Sequence, residues 1–110
     1  MFDMTRFDLS LFEKSAGRAA ALLRLLSNEK RLMVLCQLAD GELSVSEIQS
    51  RVGLSQSALS QHLALLRDEG VVATRRERQT IYYRVADHAA MRIVQTLAEL
   101  FCPPEMRMHI

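Results

Sequence analysis

The 110-residue chain reads as a mainly α domain with one β-hairpin, an α+β fold in the order α-α-α-α-β-β-α. Three observations predict it. Five segments carry apolar residues at helical spacing, most of them opening on a capping residue or closing on a glycine. Two runs rich in β-branched and aromatic residues, 71–76 and 80–85, are separated only by Glu77, Arg78 and Gln79. Finally, 49% of the residues are apolar, which suits one modest core and a single domain over 1–110.

Residues 1–10 read as a flexible lead-in without a signal-peptide pattern. The first helix spans 11–26. Phe12, Ala16, Ala19, Leu23 and Leu26 form one stripe, and Leu11, Leu22 and Leu25 a second. A chain this short has little interior to cover both, so one stripe serves the core and the other a partner helix. Ser27 or Asn28 caps the second helix, which runs to a stop at Gly41 and holds Cys36 among Met33, Leu35 and Leu38. The third helix opens on Ser44. Glu47 follows three residues later, as a capping box requires, and Gly53 closes the segment. The fourth, SQSALSQHLALLR over 55–67, starts from the N-cap Ser55 and ends before Gly70. The hairpin follows. Asp87 caps the last helix, 88–102, with Ala90, Val94, Leu97 and Phe101 in one stripe beside Ile93 and Leu100. Pro103-Pro104 stops it, and 103–110 is a flexible tail. The first and last helices are apolar on more than one side, which predicts that they pair across a two-fold axis.

The fourth helix organises the rest. Leu59, Leu63 and Leu66 make its buried face, while Ser57, Ser60, Gln61 and Ala64 lie opposite with Gln56 at the leading edge. A solvated face ordinarily carries Lys and Glu. Hydroxyls, amides and small side chains suit the floor of a DNA major groove, where they read base edges at close approach. A short capped helix, a turn containing glycine and then this helix make a helix-turn-helix. The hairpin beside it, with RRERQ at its tip, reads as a wing. The net charge is only +1, but six arginines (51, 67, 75, 76, 78 and 84) stand against Asp68, Glu69 and Glu77 between Arg51 and Arg84. A locally basic half within a near-neutral chain is the footprint of a small DNA-binding domain with a separate partner surface.

Gln56, Ser57, Ser60 and Gln61 are thus expected at base edges, and Ser55 with the helix N-terminus at phosphate. His62 lies between the two faces, as a phosphate contact or a packing group. Arg76, Arg78 and Gln79 form the wing's contact, suited to phosphate or to a narrow A·T-rich minor groove. Other classes fit poorly. Every long apolar stretch is broken by charge well short of a membrane span, and two cysteines with no signal segment point to the reducing cytoplasm. The histidines 62, 88 and 109 lie on separate segments without a catalytic or phosphate-loop signature, so neither an enzyme nor a cofactor is expected.

The element order resembles the ArsR/SmtB family of bacterial winged-helix repressors. SNEKRLMVLCQL in the second helix, ELSVSEI in the third and GLSQSALSQHLALLRDEGVVATRRERQTIYYRV across the fourth helix and wing carry the resemblance. It implies a winged helix-turn-helix homodimer, joined through the first and last helices. The dimer would bind double-stranded operator DNA as an inverted repeat and leave it when a ligand or oxidant acts. Arsenic- and cadmium-responsive members carry a Cys-x-Cys pair where this chain has Ser44 and Ser46, and hydroxyls are poor ligands for soft metals. Zinc-responsive members carry Asp, His, a second His and Glu on the last helix. Here Asp87, His88 and Glu99 are present and the second His is missing, so no metal site is implied.

Cys36 and Cys102 match both positions of the dithiol, persulfide- and redox-sensing branch (BigR and SqrR type, with HlyU-like relatives). In that branch the two cysteines form a disulfide or polysulfide bridge and DNA affinity falls. The resemblance thus implies a reactive sulfur species as inducer. Spacing alone also accommodates Cys36 as an inert core thiol, since cysteine is among the most buried residue types. Two further readings stay open at this point. One is a metal- or arsenic-responsive repressor using Cys36, Cys102 and His109; the other is an anti-repressor that activates transcription.

Overall fold

A computed structural model of the chain describes residues 8–102. The lead-in over 1–7, the Pro103-Pro104 stop and the tail with His109 lie outside the described residues. The elements are α1 (Leu9–Leu26), α2 (Glu29–Leu38), β1 (Leu43–Ser44), α3 (Val45–Val52), α4 (Gln56–Asp68), β2 (Val72–Glu77), β3 (Thr80–Val85) and α5 (His88–Phe101). The five helices and the hairpin are as the sequence predicts, and among the differences in their bounds and number three stand out.

First, α1 begins at Leu9 rather than at residue 11, so the end of the expected lead-in is helical. The cause is Asp8, whose Oδ1 accepts from the backbone N–H groups of Ser10 (3.0 Å) and Leu11 (3.3 Å). The Ser10 hydroxyl, donating to the same oxygen at 2.8 Å, and then these backbone groups hold its carboxyl below the usual carboxylate range. Second, α2 closes at Leu38, and the Gly41 N–H turns back to the Leu38 carbonyl at 3.2 Å. Its N-cap is Asn28, whose Oδ1 accepts from Arg31 N–H at 3.0 Å. Third, Leu43 and Ser44 form an extra strand, with Leu43 opposite Tyr83 and Ser44 opposite Tyr82. The sheet order is β1-β3-β2, all antiparallel. Two residues are too few to show the alternation that marks a strand in sequence.

The core lies where α2, α3, α4, α5 and the base of the hairpin meet. Leu35, Leu38, Ile48, Leu59, Leu66 and Val94 are among its fully buried side chains. Leu22 and Leu25 of α1 pack against it from outside, and Leu26 is buried. Arg31 ties α1 to α2: its Nε donates to the Leu25 carbonyl (2.8 Å) and its Nη2 to that of Arg24 (3.3 Å). These are carbonyls in the last turn of α1, where a cation also complements the helix dipole.

Val71 pins both ends of the hairpin. Its N–H donates to the Leu66 carbonyl (2.9 Å), and its own carbonyl accepts from Ala86 (2.8 Å) and Asp87 (3.3 Å). For this reason the ladder starts at Val72 rather than at residue 71. Large apolar side chains remain uncovered on the first and last helices, with Leu9 and Leu11 64% and 61% exposed and Leu100 and Phe101 70% and 75%. The extents of 50 × 34 × 23 Å describe an elongated protomer.

Candidate functional site: a polar-faced helix, a basic wing and a thiol pair

The α3–turn–α4 unit is built by its caps. Ser44 Oγ accepts from the Glu47 N–H (3.2 Å) and Glu47 Oε1 accepts from the Ser44 N–H (2.8 Å), closing the capping box. The Ser44 N–H, and then the Ser44 hydroxyl, hold the Glu47 carboxyl below its ordinary range. Gly53 takes the left-handed conformation, φ 69°, that ends α3, and the Gln49 side-chain amide donates to the Leu54 carbonyl at 3.3 Å across the turn. Ser55 then caps α4, its Oγ accepting from Ala58 N–H at 3.2 Å. Leu59, Leu63 and Leu66 are buried, which turns Gln56, Ser57, Ser60, Gln61 and Ala64 to the exposed face. His62 is half-buried at the margin. Burial, and then the Arg31 guanidinium, hold its pKa below the ordinary imidazole value.

The wing ends in a two-residue turn, Arg78-Gln79, between the paired Glu77 and Thr80. Arg78 stands at φ 59°, and it is the one non-glycine residue at positive φ among the described residues. A positive φ at the first turn position is what a primed hairpin turn demands. Arg76, Arg78 and Gln79 are all exposed. Strand alternation places Ile81, Tyr83 and Val85 on one face, and Tyr83 and Val85 pack on the core. The other face carries Tyr82, Arg84 and, from β2, Arg75. The Arg75 guanidinium lies 4.7 Å from the Tyr82 ring centroid and reaches Glu42 and Glu77. Glu42 is a site residue that sequence reasoning missed. In the chain it lies outside the basic stretch; in space it is drawn into it, its carboxyl held low by Arg75 and further by Arg84.

Cys36 on α2 and Cys102, the C-cap of α5, are both half-buried free thiols on helices that pack against one another. Burial, and then the charge of the Cys102 thiolate, raise the Cys36 pKa. The packing of α5 on α2 thus brings onto neighbouring helices two cysteines that lie 66 positions apart in sequence (102 − 36). Asp87 is engaged as the α5 N-cap, its Oδ1 accepting from Ala90 N–H at 2.9 Å, while His88 and Glu99 are exposed. Ser44 is engaged in the capping box. Among the described residues, no three His, Cys, Asp or Glu side chains gather where a metal ion could be held, and no helix is long and apolar enough to cross a membrane.

A capped helix, a glycine turn and a polar-faced helix beside a basic hairpin define a winged helix-turn-helix regulator of transcription. Known proteins agree. The family model for bacterial regulatory proteins of the arsR family matches residues 28–74. The transcriptional activator HlyU of Vibrio cholerae is 47% identical over 95 residues, spanning 86% of this chain and 88% of that protein. The crystal structure of the transcriptional repressor BigR from Xylella fastidiosa superposes with a TM-score of 0.81 at 41% identity, covering 87% of this chain and 98% of that one. The solution structure of a homodimeric winged helix-turn-helix DNA-binding domain from Mycobacterium bovis, Mb0332, superposes at 0.70 with 30% identity, covering 80% and 82%. The chain belongs to the arsR family of bacterial regulatory proteins; it is a transcriptional regulator.

Proposed function

We propose that the chain is a cytoplasmic repressor that binds operator DNA as a homodimer and leaves it when Cys36 and Cys102 become bridged. The observation that carries this reading is the thiol pair: two half-buried, free cysteines, one on α2 and one capping the end of α5, on helices that pack together. The exposed apolar side chains of α1 and α5 supply the dimer surface, in keeping with the homodimeric relative. Gln56, Ser57, Ser60 and Gln61 read base edges, Ser55 and the α4 N-terminus meet phosphate, and Arg76, Arg78 and Gln79 meet the flanking backbone or minor groove. Two symmetric copies make the preferred operator an inverted repeat.

The switching chemistry balances. A cysteine thiolate attacks the sulfane sulfur of an organic persulfide, forming Cys–S–SH and releasing the organic thiolate. The second cysteine thiolate then attacks the protein-bound sulfur of that persulfide and expels HS⁻, leaving the disulfide. If both cysteines carry persulfides, one attacks the other, expels HS⁻ and leaves a trisulfide. A direct disulfide requires Cα atoms within about 7 Å, and each added sulfur lengthens the reach. Either bridge ties α5 to α2 and shifts the two α4 helices from their operator spacing.

The test is operator binding with and without an organic persulfide, read alongside mass spectrometry of the two cysteines. Wild-type protein loses affinity and gains a bridge, while Cys102→Ser keeps its affinity. An equal loss in Cys102→Ser removes the dithiol switch. One observation favours a second sign of regulation: the 47% identical relative is a transcriptional activator. An anti-repressor would share the DNA interface, and a reporter strain lacking the gene separates the two, rising for a repressor and falling for an activator. Metal-responsive release is tested by titration with zinc, cadmium and arsenite.

A further inference from the structure

We propose that Arg75 is a positioning residue, not a DNA contact: with Glu42, Glu77 and Tyr82 it forms a clasp that fixes the wing against the start of the helix-turn-helix. The proposal rests on the operator-binding reading above.

The clasp crosses all three strands. Arg75 on β2 pairs with Tyr82 on β3, and Tyr82 in turn pairs with Ser44 on β1. The Arg75 side chain runs over the Tyr82 ring, 4.7 Å from its centroid. Beyond it, Nε (2.9 Å) and Nη2 (2.6 Å) both donate to Glu42 Oε1, and Nη1 donates to Glu77 Oε1 at 3.2 Å. Nitrogens at all three corners of the fork are thus engaged within the protein, and two carboxylates offset its charge. Arg75 carries a proton more firmly than an ordinary guanidinium because of these two partners.

The place of Glu42 gives the clasp its consequence. Glu42 immediately precedes β1, and Ser44 of β1 is the N-cap of α3. β1 and β3 are joined through only two residue pairs, a short ladder to hold the angle of the wing. The Arg75–Glu42 contact adds a side-chain tie across 33 positions of sequence at that joint. It lies on the face of the sheet opposite Tyr83 and Val85, so the core does not duplicate it. At the wing tip Arg76, Arg78 and Gln79 are exposed.

Simple electrostatics and the clasp predict opposite signs. If charge alone matters, Glu42→Gln removes a negative group beside the DNA-binding surface and tightens binding. If the clasp positions the wing, the same change weakens it. The probe is a fluorescein-labelled duplex selected by the wild-type protein from a random-sequence library, followed by anisotropy over a salt series. We expect Glu42→Gln and Arg75→Ala each to weaken binding about three- to fivefold, the scale of an exposed ion pair. The slope of log K against log salt stays at the wild-type value, since no phosphate contact is lost. Glu42→Gln adds nothing in the Arg75→Ala background, because both act through one contact. Thermal melts of the three variants stay close to wild type, as befits an exposed pair.

Tighter binding by Glu42→Gln overturns the proposal. So does a salt slope flattened by Arg75→Ala, which would mark a direct phosphate contact, or full additivity in the double variant. Selection of no duplex by the wild type removes the operator-binding reading itself, and this proposal with it.

Discussion

Replacing Arg78 separates two roles that the wing tip combines. At φ 59° a side chain with a Cβ pays roughly 1–2 kcal/mol in the left-handed region. Glycine removes that strain but adds about 0.5–1 kcal/mol of unfolded-state entropy. Arg78→Gly should therefore stabilise the domain by about 0.5–1 kcal/mol, roughly 2–8 °C in melting temperature. Arg78→Ala keeps the strain and should melt with the wild type. For DNA the two variants should behave alike. Loss of one phosphate contact lowers the salt slope by about 0.9, or about 1.8 for the two wings of a homodimer. Affinity should fall on all duplexes by a similar factor, because phosphate contacts carry no sequence information. The assays are circular-dichroism melts and fluorescence anisotropy from low to moderate salt. A salt slope unchanged in both variants would refute the wing contact. A lower melting temperature for Arg78→Gly than for Arg78→Ala would refute the strain argument.

On α4, Gln61→Ala should change which sequences are selected from a random library and leave the melt unaltered. Leu63→Ala, from the buried face, should cost about 2–5 kcal/mol and unfold much of the population in a thermal scan. At the thiol pair, alkylation of Cys36 should rise with pH through a midpoint above that of a free cysteine, since burial and Cys102 both disfavour its thiolate. Cys102→Ser should lower that midpoint part of the way; an unmoved midpoint would mean that the thiols do not interact. In α3, Ser44→Ala should destabilise by about 1 kcal/mol at neutral pH. The folded pKa of Glu47 is depressed, so its share of the capping box is complete above the ordinary carboxylate range and fades as pH falls through the lowered value. Melts of Glu47→Gln and wild type should accordingly converge in acid.

Local signals carried most of the fold. Asn28, Ser44, Ser55 and Asp87 announce four helix starts because an N-cap acts within three residues of itself, and the buried set Leu59, Leu63 and Leu66 follows from period alone. The exposed face of α4 was legible for the same reason. Contacts between distant segments were not. Glu42 meets Arg75 only because β1 docks on β3, and a two-residue strand leaves no trace in composition. Which wing tyrosine packs inward depended on register, and the structure sends Tyr83 to the core and Tyr82 beneath Arg75. The early start of α1 was readable in principle, since Asp8 stands in the right place to cap it. The basic half is less basic in space than along the chain, because the Glu42 carboxylate folds back onto it.

The joint that Arg31 makes at the end of α1 works as a pivot at the short end of a long lever. α1 has 18 residues, a rod of about 27 Å, held there by hydrogen bonds to its last-turn carbonyls. A rotation of about 10° at such a pivot sweeps the far end through about 5 Å, more than the roughly 3.4 Å step of one base pair. In the proposed homodimer that error would enter the spacing between the two recognition helices, which must match a DNA turn of about 34 Å. Angular stiffness at a single arginine thus bears on whether two half-sites can be read in phase.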